Sequence, residues 1–289
     1  LSGVRIVEMS GIGPAPFCGM LLADMGAEVV SVQRMSAVDL GFDIDTRFDF
    51  LNRSKQAVAV DLKSPEGVAV VKDLIASADL LIEGFRPGVM ERLGLGPNIC
   101  HAINPKLVFG RMTGWGQTGP LKDRAGHDIN YIAMTGALAA IGPKGGAPLV
   151  PLNLIGDFGG GAMYLAMGLL AALLAARTSG QGQVIDAAMV DGVASLMTMH
   201  MGYLQAGFWK LDRESNAVDG GSPYYRTYVC RDGKYIAVGA VEKRFYLEFV
   251  TGLGLDPTSM PKQNDRSQWE ELAGIFAAEF LKRDRDDWA

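Results

Sequence analysis

Two short polar islands carry the side chains best suited to acid–base chemistry, Gly126-His127-Asp128-Ile129-Asn130-Tyr131 and Asn153-Leu154-Ile155-Gly156-Asp157-Phe158. The first supplies an imidazole, whose ordinary pKa of about 6.5 lets it gain or lose a proton near neutrality. The second supplies a lone carboxylate, followed by Gly159, Gly160, Gly161 and a long apolar run. That pattern reads as an acid at a helix entrance, with glycines that leave room for a ligand backbone. An apolar stretch and a Gly/Pro-rich loop over 142–151 separate the islands, and this hairpin-like excursion is expected to bring them face to face. Taken singly, each residue has a plainer reading: Asp157 as a helix cap, His127 as a hydrogen-bonded core histidine.

The elements that must position these groups follow an α/β pattern. An apolar run at 4–9, a loop Ser10-Gly11-Ile12-Gly13-Pro14-Ala15-Pro16, a helical stretch at 17–25 and a second strand at 27–33 open a doubly wound, Rossmann-like sheet, in which ligands settle at the carboxyl ends of the strands. The loop lacks the third glycine of a dinucleotide fingerprint and contains two prolines. Arg34 stands where a plain NAD site would carry an acid, and a cation there suits a phosphorylated ribose, that of NADP or of coenzyme A; it reads equally as a solvated surface arginine. Strands at 57–62, 79–83 and 106–112 follow, with Ser64-Pro65 as cap and first turn of a helix at 68–76. Lys63, Arg86 and Arg92 are candidate phosphate partners near these strand ends. A glycine-rich loop, 114–120, leads towards His127.

Composition limits the partners. A net charge of −5 over 289 residues, with signs interspersed, offers no basic stripe for nucleic acid and no polybasic cluster for an anionic membrane. Cys18, Cys100 and Cys230 lie far apart, so neither a disulfide framework nor a zinc site is indicated, and no His/Glu motif suggests another metal. With no secretory pattern at the start, a cytoplasmic setting is expected. Residues 159–176 carry no charge, close to the lower limit of about 17 for a membrane span; their Gly and Ala content, between Asp157 and Arg177, favours a buried helix. A polar stretch at 211–223 marks the expected junction between a large domain, 1–215, and a smaller α/β domain, 216–289. In the latter, Asp232-Gly233 signals a hairpin between strands at 224–230 and 235–240, and helices follow at 243–253 and 269–281.

The two islands, together with Gly239-Ala240-Val241-Glu242, Glu83-Gly84-Phe85-Arg86-Pro87-Gly88, Gly182-Gln183-Val184-Ile185-Asp186 and Asp219-Gly220-Gly221, resemble the family III CoA-transferase (CaiB/BaiF-type) superfamily, and within it the branch of 2-methylacyl-CoA racemases. The resemblance covers essentially the whole chain. It implies a Rossmann-like large domain, a smaller α/β domain that is incomplete at its C-terminus here, and a homodimer with interlocked subunits. It implies His127 and Asp157 as catalytic groups, and coenzyme A as part of the substrate with no separate cofactor. Arg34, Val60, Asp61, Leu62, Lys63, Gly84, Phe85, Arg86, Arg92, Gly126, Asp128 and Tyr131 match positions that surround coenzyme A in the family. Asn153 and Glu242 match positions behind the catalytic groups, Glu242 orienting an imidazole.

The activity so implied is interconversion of (2R)- and (2S)-2-methylacyl-CoA thioesters through an enolate, which needs one base on each face of the α-carbon. In the family the histidine is the racemase feature, so His127 decides between this activity and its sister, a CoA transferase with Asp157 as nucleophile, which stands as the alternative. An NADP-dependent oxidoreductase would use Arg34 but leave the two islands idle, and a non-catalytic fragment is the reading from a different class.

Overall fold

The structure, a computed structural model of the single chain, describes residues 1–35 and 45–289. Strand β1 (Arg5–Met9) leads into helix α1 (Pro14–Asp24), and β2 (Glu28–Gln33) returns beside β1. Next come β3 (Lys55–Ala59), α2 (Pro65–Ala76), β4 (Leu80–Glu83), the short α3 (Val89–Arg92) and α4 (Pro97–Ile103), and β5 (Val108–Thr113). Helix α5 (Asp128–Met134), a π-helix (Leu154–Ala162) that runs straight into α6 (Met163–Ser179), β6 (Val184–Ala188) and α7 (Met189–Leu196) follow. The strands form one parallel sheet in the order β3-β2-β1-β4-β5-β6, the doubly wound arrangement expected.

Parallel strands require crossovers on both faces, so the central strands are buried on both sides. β4 and β5 have no exposed residue. Side chains alternate between two cores: Ile6, Leu80, Ile82 and Val108 pack with α1 and α6, whereas Val7, Met9, Leu81 and Phe109 pack with α2 and α4. In α6 the buried positions Leu165, Ala166, Leu169, Ala172, Leu173 and Ala176 fall at helical spacing, which makes one stripe and leaves Met163, Met167 and Leu174 exposed.

Local chemistry moves several boundaries. Pro14 and Pro16 lie inside α1, ahead of the apolar pattern at Phe17, because the first helical turn has no use for the missing N–H. Ser64 caps α2 as expected, its Oγ accepting the Gly67 N–H at 2.9 Å. β3 ends at Ala59, so 60–63 form the turn into α2 rather than strand.

The chain divides into two compact units, Leu1–Ala137 with Pro151–Met197, and Leu138–Val150 with Thr198–Ala289. The division therefore falls at 197/198, not at 215/216, and the Gly/Pro-rich excursion belongs to the second unit. There Arg213 donates to the carbonyls of Ala139, Pro143 and Gly146, and the Lys144 N–H donates to Glu214. The polar stretch read as a junction is a loop that holds this excursion. The second unit also contains α8 (Thr198–Gln205), an antiparallel pair β7 (Tyr225–Val229) and β8 (Tyr235–Gly239), α9 (Lys243–Gly252), α10 (Trp269–Phe280) and α11 (Arg285–Trp288). Tyr228, Tyr246, Trp269, Phe276 and Phe280 form its core.

Candidate active site

The strand order reverses between β1 and β4, and loops leaving their carboxyl ends part to form a crevice there. A cleft of about 490 Å³ occupies this position within the first unit. Residues 12–15 after β1, 84–87 after β4 and 112–115 at the end of β5 line it, and His127 and Asp157 both reach it.

Each wall is held by a specific contact. After β1, Gly13 has a φ of +70°, and a Cβ there would stand 3.3 Å from Asp157 Oδ2, so glycine alone combines this backbone with this approach. After β4, the fully buried Glu83 accepts the Phe85 N–H at 2.7 Å and Arg111 Nε at 2.8 Å. Arg111 also binds Glu91 of α3 at 2.7 Å. Burial pushes the Glu83 carboxyl up against the opposing pull of Arg111, while Arg111 draws the Glu91 carboxyl down. After β5, Thr113 Oγ1 accepts the Gly116 N–H and Asp186 Oδ2 accepts the Gln117 N–H, both at 2.9 Å, which sets the glycine loop.

His127 precedes α5 in extended conformation, its N–H donated to Asn130 Oδ1 at 3.0 Å and its side chain exposed in the cleft. Asp157 sits in the first turn of the π-helix, partly buried, and accepts Asn153 Nδ2 at 3.0 Å. Burial pushes its carboxyl above the ordinary carboxylate range, the Asp128 charge adds to this, and Asn153 and His127 oppose it. Tyr131 is buried edge-on to Trp115, 4.8 Å between ring centroids, and its phenol is raised by burial and by Asp157, with Arg86 opposing. The cleft lining thus contains both an imidazole and a carboxyl group that burial biases towards holding its proton.

Of the remaining residues expected around a ligand, Gly84, Phe85, Arg86, Gly126, Tyr131 and Asn153 line this cleft. Arg34 is exposed just beyond β2, Val60, Asp61, Leu62 and Lys63 form the turn beyond β3, and Arg92 ends α3. These lie outside the cleft lining, although β2 and β3 end on the same edge of the sheet as β1. Asp128 is buried beneath the site, with Oδ2 accepting the N–H groups of Gly156 and Asp157. Glu242 precedes α9 in the second unit.

The glycine run has a different use from the one its sequence suggested. Gly160 and Gly161 are buried, and a Cβ on Gly160 would come within 2.6 Å of Val193 Cγ2, so these glycines let the π-helix close on α7. Sequence reasoning missed Ile12, Ala15, Lys122 and Arg124 of the lining. The loop after β1 was visible only as a failed fingerprint, and Lys122 and Arg124 carry no signal beyond a loop charge. Among the described residues, no group of three or more His, Cys, Asp or Glu side chains is placed to hold a metal ion.

The family model of CoA-transferase family III matches residues 1–289. Over 288 residues the chain is 46% identical to the alpha-methylacyl-CoA racemase of Mus musculus and 43% identical to that of Homo sapiens, covering all of this chain and 74% of each relative. The crystal structure of a CAIB/BAIF family protein from Brucella suis superposes with a TM-score of 0.81 at 26% identity, over 99% of this chain and 79% of that one.

Proposed function

The chain belongs to CoA-transferase family III, and from that premise we propose that it is an isomerase that interconverts the 2R and 2S epimers of 2-methylacyl-CoA thioesters. The observation that carries this reading is that an imidazole and a carboxyl group, His127 and Asp157, line one cleft from different elements. Inversion at a carbon next to a thioester carbonyl needs a proton removed from one face and returned on the other, and a single base would return it to the side it left.

In one direction the imidazole of His127 takes the α-proton. The C–H electron pair moves into the bond to the carbonyl carbon, negative charge collects on the thioester oxygen, and the protonated Asp157 delivers a proton to the opposite face. The reverse direction exchanges the roles. The raised Asp157 carboxyl supports this, because it must be protonated when His127 is the base. The α-carbon is a weaker acid than imidazolium by more than about ten units, a gap of roughly 14 kcal/mol. The enolate oxygen therefore needs preorganised donors, and we assign the backbone N–H of Asp128 as one, worth about 3 kcal/mol. This chemistry calls for no redox group or metal, coenzyme A being part of the substrate.

Arg34, Lys63, Arg86 and Arg92 supply cations for the phosphates of coenzyme A in this reading. It also carries a homodimer, supported by the exposed apolar side chains Met163, Met167 and Leu174 of α6, and light scattering tests it. The test of function is incubation of each pure epimer in D2O: both should reach the same mixture with deuterium at the α-carbon. Acyl exchange onto a free acid without epimerisation would instead make Asp157 the nucleophile of a transferase.

A further inference from the structure

We infer that the Asp128 side chain is a positioning residue: its carboxylate ties the segment of His127 to the backbone of Asp157 and so fixes the spacing of the two bases, an inference that rests on the two-base reading above. Chain connectivity alone does not hold the islands together, because residues 138–150, which join them, belong to the other compact unit. Asp128 is the next residue after His127 and is 5% exposed. Its Oδ2 accepts the Gly156 N–H at 2.5 Å and the Asp157 N–H at 2.7 Å. These N–H groups lie in the first turn of the π-helix, where helical geometry leaves donors without intrahelical acceptors and where negative charge is favoured.

The neighbours are shaped to this contact. A Cβ on Gly156 would stand 2.7 Å from Asp128 Oδ2, so glycine is needed for the carboxylate to reach both donors. The other ties at Asp157 do different work. Asn153 binds its carboxylate from within the same island, and Gly13 approaches only its side chain. The Asp128 carboxylate thus acts as a strut one residue from one base and one hydrogen bond from the other. Two-base inversion depends on both groups being held in register within about 0.5 Å, whereas exchange at a single face needs only one of them.

The test separates these demands on the full chain. Asp128→Ala removes the strut, and inversion in D2O should fall about a hundredfold, while α-deuterium exchange from the epimer whose proton faces His127 should fall about tenfold or less, with KM little changed. Asp128→Asn keeps an acceptor for the two N–H groups and should lose far less of the inversion rate than Asp128→Ala does. Its kcat/KM profile should move at the acid limb to lower pH, because a charge that raises Asp157 is gone; the other groups facing Asp157 are His127, Tyr131 and Asn153. Equal loss of exchange and inversion in a folded Asp128→Ala chain, or inversion at the wild-type rate, would overturn the inference. Amide hydrogen exchange at Gly156 and Asp157 gives a readout without turnover: protection should drop in Asp128→Ala, and unchanged protection would also overturn it. If Asp128→Ala does not fold, Gly156→Ala decides, since its Cβ would stand 2.7 Å from Asp128 Oδ2 and break the same contact: inversion should fall more than exchange, and equal loss counts against. Failure of the wild-type chain to epimerise would overturn the functional reading and leave the amide exchange to judge the strut.

Discussion

Replacing Lys55 by methionine should destabilise the chain by about 3–5 kcal/mol above neutral pH, the cost of removing one partner of a buried ion pair. Lys55 Nζ donates to Glu8 Oε1 at 2.9 Å, to Glu8 Oε2 at 2.8 Å and to the Pro16 carbonyl at 2.9 Å. The side chains of Lys55 and Glu8 are 2% and 1% exposed. Helix α1 passes directly over the pair: a Cβ on Gly19 would fall 1.7 Å from Glu8 Oε2. Methionine matches the length of lysine but leaves the carboxylate without a counter-ion and the Pro16 carbonyl without a donor, the latter alone worth about 1–3 kcal/mol. Burial already raises Glu8 from its ordinary 4.5 to about 7, against the pull of Lys55. Between those values the native chain keeps a proton that the unfolded chain has released, so wild-type stability declines as pH rises through that window. Without Lys55 the carboxyl holds its proton to higher pH, and the decline continues further. The difference between variant and wild type should therefore be smaller at about pH 5, where the lost bond to the Pro16 carbonyl is its main part, and widen towards about pH 8.5 in urea unfolding. Glu8→Gln in the Lys55→Met background should recover most of the high-pH loss. An equal difference at both pH values, or none at the higher one, would refute the argument.

Further outcomes follow from the cleft. His127→Ala should abolish epimerisation while leaving coenzyme A binding close to wild type by calorimetry; unchanged turnover removes His127 from the mechanism. Glu83→Gln should cost about 1.5–3 kcal/mol, the scale of hydrogen bonds to charged groups, and should raise KM more than it lowers kcat, because the Phe85 N–H loses a carboxylate acceptor; an unaltered KM argues that the loop is held otherwise. Gly114→Ala puts a Cβ 2.1 Å from Tyr131 Cε1 and Cζ; the overpacking should cost about 1–3 kcal/mol in thermal unfolding, and the same change made in a Tyr131→Ala background should cost little. Arg34→Ala should weaken coenzyme A binding by about 1.5–3 kcal/mol and erase any preference over 3′-dephospho-coenzyme A; preserved discrimination means that Arg34 does not read the phosphate.

The doubly wound sheet was legible because its signals are local. Apolar runs such as Leu80-Leu81-Ile82, buried on both faces, together with the Ser64-Pro65 cap fix strands and helix starts over a few residues. His127 and Asp157 were legible as types of side chain at suggestive places, and the cleft receives both. How they are brought together was not. The expected hairpin excursion is local reasoning, whereas the observed tie runs from the Asp128 carboxylate to backbone N–H groups 28 and 29 residues away. The π-helix has no periodicity that a pattern reader would separate from the α-helix that continues it. Its register matters all the same, since that first turn offers both the Gly156 and Asp157 N–H groups to one carboxylate. The same polar atom thus caps a helix and ties the segment of His127 to that of Asp157. The plain reading of Asp157 as the helix cap does not hold: the cap is supplied by Asp128, and the Asp157 carboxylate, bound by Asn153, lines the cleft instead.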